Sequence, residues 1–127
     1  MTEIVAASGA EVWAHRDDTA VIELNVLGGV RVVHSPGHTP GHLCLYLPAF
    51  SLLIAGDLLR LVDGVIDLSP AALSADTDLS LASARRVVAL GIEGFVGYHS
   101  GYTIAGADKL LSDGLQRGGT PIRASRA

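Results

Sequence analysis

Residues 34–42 read HSPGHTPGH, three histidines, two prolines and two glycines in nine positions. Pro36 and Pro40 exclude a helix, so the four-residue spacing of His34, His38 and His42 cannot align the rings on one helical face. The prolines fix φ, and Gly37 and Gly41 permit backbone angles that other residues avoid. Such a stiff, bent loop holds an imidazole with little entropy left to lose. His38, at its centre, is the candidate metal ligand of the three. His34 and His42 are expected as supporting or core residues.

Two more chemically capable residues stand at strand ends. Asp57 closes the apolar stretch SLLIAGD and His99 closes FVGYH. In open α/β sheets such ends gather along one edge, where functional groups collect. Two imidazoles and a carboxylate form an open-site donor set suited to zinc or iron, with water completing the shell. A metal so held brings the ionisation of water toward neutral pH and makes a nucleophile available. His15 is expected to have no role. Tyr98 and Tyr102 flank His99 and are expected to pack or to line a pocket. Cys44 is expected to be a small buried hydrophobe.

The elements that must position these residues follow from periodicity and punctuation. A short helix over 3–7, a strand over 11–15 and a helix over 19–24 capped by Asp17 or Asp18 open the chain. Gly28-Gly29 make a turn. Strands follow at 30–34, 42–47 and 51–55. Asp63-Gly64 joins strands 58–62 and 65–68 as a hairpin turn with positive φ at both positions. A helix over 78–90, capped by Asp76 or Asp78, carries Leu81, Ala84 and Val88 on one face. A strand at 95–98 and a last helix striped by Ala107, Leu110, Leu111 and Leu115 complete the pattern. Residues 1–116 form one domain, and 117–127 are expected to be a mobile tail.

Composition bounds the function. The chain has 127 residues and a net charge of −4. An acidic domain with scattered cations is poor footing for nucleic acid. One cysteine excludes an intrachain disulfide. No basic segment followed by an apolar core opens the sequence, and no apolar run is long enough to span a bilayer, so a cytoplasmic protein without membrane contact is expected. Hydrophobic residues reach 49% while charged residues are only 17%, below the usual quarter or so. Polar surface is short for a small monomer.

PGHTPGH, then SLLIAGDLL, then FVGYHSGY, in that order, resembles the C-terminal half of the metallo-β-lactamase superfamily, of the glyoxalase II and general hydrolase type. EVWAHRDD and the helix DLSLASARRVVALG also resemble that half. The resemblance implies an α/β fold, one half of an αββα sandwich with a mixed sheet and helices on one face. Position by position, it makes His38 the third histidine ligand, Asp57 the aspartate bridging two metals and the candidate catalytic residue, and His99 the last histidine ligand. Gly97-Tyr98-His99-Ser100-Gly101 departs from the family pattern, in which glycine directly precedes that histidine. The family's HxHxDH motif, which supplies most of the ligands, occurs nowhere in the sequence.

The resemblance therefore implies a half-domain with one histidine for each of two metal positions plus the bridge, holding zinc or iron weakly or not at all. It also accounts for the composition. Leu43, Leu45 and Leu47 alternate with Cys44 and Tyr46, and SLLIA is apolar on both sides, as in a strand buried on both faces. The sheet face that normally meets the other half would need a cover, most simply a second copy in a C2 homodimer. The function so implied is metal-dependent hydrolysis of an ester, thioester or lactam-like small molecule, or the remnant of it. The alternatives are a non-catalytic dimeric module binding a small molecule or protein, and one part of a split enzyme.

Overall fold

A computed structural model describes residues 22–24 and 28–117. The expected elements within 1–21, His15 and the tail beyond Arg117 lie outside the described residues.

The strands run β1 Ile22–Leu24, β2 Val30–His34, β3 Leu43–Leu47, β4 Leu52–Ile54, β5 Leu59–Val62, β6 Val65–Leu68, β7 Gly94–Gly97 and β8 Gly101–Thr103. Six of them form one mixed sheet in the order β1-β2-β3-β4-β7-β8, and β5 and β6 make a separate hairpin. The hairpin turn is the one expected, with φ of 51° at Asp63 and 73° at Gly64. Helix α1 spans Thr77–Val88 and α2 Ala107–Arg117. Among the described residues no helix is long and apolar enough to cross a membrane.

β1 corrects the helix expected over 19–24. Ile22 pairs with Val32 and Leu24 with Val30 in an antiparallel ladder. Ile-Glu-Leu alternates with the strand period of two, and that alternation together with the edge offered by β2 outweighs the capping potential of Asp17 and Asp18. β8 is an addition to the expected elements. Gly-Tyr-Thr carries no alternation that would mark it as a strand.

Alternation along the strands sorts their side chains between two faces. Tyr46, Leu53 and Phe95 are paired neighbours across β3, β4 and β7 and are all buried. With Cys44 and Ala55 they meet Ala84 and Val87 of α1, Ala107 and Leu111 of α2, and Leu59 and Ile66 of the hairpin in one core. The opposite face carries the row Val32, Leu45, Ile54, Val96 and Tyr102. The first four are half-buried and Tyr102 is 71% exposed. Leu43, on the same face as Leu45, is 50% exposed, whereas Val30 and Leu47 are buried. This face is open at its Leu43 end.

Asp76 caps α1, its carboxylate accepting the Leu79 N–H at 2.9 Å. The buried residues of α1 are Ser80, Ser83, Ala84 and Val87; of the face expected, Ala84 is buried and Leu81 and Val88 are half-buried. The serines are satisfied locally: Ser80 Oγ donates to the Asp76 carbonyl and Ser83 Oγ to the Pro36 carbonyl, at 3.1 and 2.8 Å. Their small size lets the helix sit directly on the 34–42 loop. A Cβ added at Gly37 would overlap Ser80.

Candidate metal centre

The strand register brings the three expected residues to one edge. β4 and β7 are parallel, with Ile54 opposite Val96, so both chains leave the sheet side by side. Asp57 follows β4 and His99 follows β7. β3 runs antiparallel to β4 with Leu45 opposite Ile54, which places the β2–β3 loop, and His38 in it, at the same edge. The N–H of Tyr98 donates to the Gly56 carbonyl at 3.0 Å and continues the pairing past the strands.

The His38 loop is clamped against α1. The Gly37 carbonyl accepts the Asp76 N–H at 2.9 Å and the His38 carbonyl the Ala75 N–H at 3.1 Å. Within the loop, His34 Nε2 donates to the Pro40 carbonyl at 2.8 Å, and Arg86 donates to the His34 carbonyl at 3.2 Å. His34 is thereby a structural tie, as expected.

His38 Nε2 lies 3.8 Å from Oδ2 of Asp57, and His99 Nε2 lies 3.7 Å from Oδ1 of the same carboxylate. The two imidazoles face opposite oxygens of one aspartate. His38 and Asp57 are largely sheltered, with side chains 25% and 35% exposed, while His99 is 87% exposed. His99 does not end a strand as expected. β7 stops at Gly97, and His99 sits in the following turn with φ of 60°. Ser100 ties that turn to β5, its Oγ accepting the Leu61 N–H at 3.1 Å. Tyr98 and Tyr102 are 55% and 71% exposed and belong to the surface beside the site, not to the core.

The donor types suit zinc or iron, but the number per position is short. Each oxygen of Asp57 is matched by one imidazole, whereas an open catalytic zinc takes three protein donors. Among the described residues no group of three or more His, Cys, Asp or Glu side chains is arranged to hold one ion. His38 Nδ1 is buried without a hydrogen-bond partner among them, although a ligating histidine ordinarily donates its second nitrogen to an oxygen. The described site is thus one carboxylate with an imidazole facing each of its oxygens.

A sequence model of one family, the Metallo-beta-lactamase superfamily, matches residues 7–99, close to three quarters of the chain. The chain belongs to the metallo-β-lactamase superfamily. A solved archaeal member of the superfamily, from Sulfolobus tokodaii, is 18% identical, with a TM-score of 0.65 over 84% of this chain and 42% of its own. A metallo-β-lactamase family protein from Thermus thermophilus is 28% identical, with a TM-score of 0.57 over 82% of this chain and 34% of its own. A metallo-β-lactamase from Pontibacter korlensis is 20% identical, with a TM-score of 0.60 over 90% and 54%. An uncharacterized protein of Aquifex aeolicus is 62% identical over 29 residues, 23% of this chain and 14% of its own. This chain therefore spans about half or less of the relatives it matches. Its mixed sheet with helices on one face is one part of the metallo-β-lactamase fold.

His42, expected as a supporting or core residue, lies beneath Asp57, and Ser35 beside it carries no signal in the sequence. His42 Nε2 accepts the Asp57 backbone N–H at 3.0 Å, and Ser35 Oγ lies 2.8 Å from His42 Nδ1. The His42 ring also stands edge-on to His38, centroids 6.0 Å apart at 83°. Burial, then the neighbouring His38, holds His42 below the ordinary imidazole range. These contacts join loops far apart in sequence and leave no periodic trace in it.

Proposed function

We propose that this superfamily member contributes His38, Asp57 and His99 to a metal-dependent hydrolytic site for an ester, thioester or lactam-like small molecule, and that it works as a homodimer. The observation that carries the reading is the Asp57 carboxylate held between two imidazoles. Zinc or iron bound there would act as a Lewis acid and bring the ionisation of water toward neutral pH. His38, Asp57 and His99 would hold the ion, and the charge of Asp57 would offset that of the metal.

The short donor count and the sheet face, open at its Leu43 end, support assembly. Val32, Leu45, Ile54, Val96 and Leu43 form an apolar surface next to the site, and a second copy laid on it would cover that surface. A stable contact of this kind buries on the order of 2,000 Å² or more in total.

Protein purified without chelator tests both parts. Elemental analysis is expected to find zinc or iron near one ion per chain, lost in His38→Ala and Asp57→Ala. Light scattering is expected to give twice the chain mass, and Leu45→Lys is expected to give the monomer. A folded, metal-free wild type whose stability is unchanged by EDTA would favour the non-catalytic binding module. Co-purification of a second chain carrying HxHxDH would favour a split enzyme.

A further inference from the structure

We infer that His42, wired through Ser35 to Cys44, is a positioning residue that holds Asp57 between His38 and His99. The inference rests on the metal-site reading above for its purpose, but not for its geometry.

The direction of each hydrogen bond follows from what its atoms can do. The Asp57 backbone N–H can only donate, so His42 Nε2 must present a lone pair to it, at 3.0 Å. A neutral ring then carries its proton on Nδ1, which donates to Ser35 Oγ at 2.8 Å. The Ser35 hydroxyl, its acceptor side engaged, has one proton to direct at Cys44 Sγ, 3.2 Å away, with the His42 carbonyl at 3.4 Å. The Cys44 thiol donates in turn to the Ala55 carbonyl at 3.6 Å. The chain of donors thus starts on Asp57 and returns to the backbone two residues before it. Ser35 and Cys44 are both fully buried, which fixes the far end in the core.

Space enforces the same arrangement. Gly56 has φ of 56°, and a Cβ there would approach His42 Nε2 to 2.7 Å. The imidazole therefore lies flush against the Gly56–Asp57 backbone. The Asp57 carbonyl accepts Ser69 Oγ at 2.5 Å. With its N–H and its carbonyl both anchored, the residue has its carboxylate as the group left to face the two imidazoles. One ring thereby touches the backbone of one candidate ligand and stands edge-on to the other, His38.

The test uses the metal-free 127-residue chain. Long-range 1H–15N spectra are expected to show His42 as the Nδ1–H tautomer. His42→Asn keeps a group near Ser35 but withdraws the acceptor from Asp57, and exchange of the Asp57 amide is expected to rise about tenfold, as for the loss of one hydrogen bond. His42→Gln places an acceptor near the lost Nε2 and is expected to restore slow exchange. Ser35→Ala is expected to give a mixture of His42 tautomers. An Nε2–H tautomer in the wild type, or an Asp57 amide indifferent to both His42 variants, would overturn the inference. A wild type that shows both signatures yet takes up no zinc would support the inference and sink the metal reading alone.

Discussion

His42 and Asp57 are joined ring to backbone across fifteen residues, with Gly56 wedged between them. The wedge position tolerates no side chain. A non-glycine residue at φ of 56° bears left-handed strain of about 1–2 kcal/mol. The added methyl would also push on His42. Gly56→Ala is expected to lower unfolding stability by about 2 kcal/mol or more, read from urea denaturation at unchanged m. In a His42→Ala background the loss is expected to shrink, because the obstacle is gone, and a double-mutant cycle measures the difference.

Gly114 offers the sharpest conflict between local propensity and packing. It lies inside α2, where glycine costs about 1 kcal/mol relative to alanine, so propensity alone makes Gly114→Ala stabilising. The structure reverses the sign. A Cβ at 114 would overlap the Ile66 carbonyl of β6, and neither helix nor hairpin backbone can yield cheaply. Gly114→Ala is expected to lower stability by about 1–3 kcal/mol, as overpacking does. Thermal denaturation checks the direction.

These cases show what can be read from the chain. The stiff HSPGHTPGH loop, the Asp63-Gly64 turn and the Asp76 cap are legible because each is decided within a few residues. The meeting of His38 and His99 at Asp57 is legible through the rule that parallel strand ends share an edge and through the family resemblance. Hydropathy misses the buried serines of α1 because it cannot see that Ser80 and Ser83 satisfy their hydroxyls on Asp76 and Pro36. A helix over 19–24 fails where β2 offers Ile22–Leu24 a partner strand. Ser35 and the contact of His42 with the Asp57 backbone are opaque for a related reason. Their partners are chosen by the fold, and a hydrogen bond between loops has no period.

Cys44 predicts an alkaline limb in stability. Burial pushes its thiol from 9.0 up to about 11, while the hydrogen bond from Ser35 pulls the other way. The unfolded chain therefore gives up this proton first as pH rises. Between pH 9 and 11 it binds fewer protons than the folded chain, so stability falls with pH, by up to about 1.4 kcal/mol per unit from this group. Below pH 9 the contribution is fully present. The difference in unfolding free energy between wild type and Cys44→Ala is expected to narrow across that window and to stay constant below it. At pH 8 the native thiol is expected to resist alkylation, because the thiolate is both scarce and enclosed.

His99 separates site from fold. It is a non-glycine residue at φ of 60° in the turn between β7 and β8, and its ring is almost wholly exposed. Such a residue buries nothing that stabilises the chain, and its backbone is one that glycine adopts freely. His99→Gly is therefore expected to leave metal-free stability unchanged or to raise it by up to about 1 kcal/mol. If the ring is a ligand, the same substitution lowers zinc or iron uptake, and His99→Ala does likewise while gaining no stability. Strain held at a position whose side chain contributes nothing to folding is the pattern expected of a functional residue. Denaturation and metal titration on the same two variants decide it: a loss of stability with unchanged uptake would make His99 a turn residue and leave Asp57 with His38 as its partner.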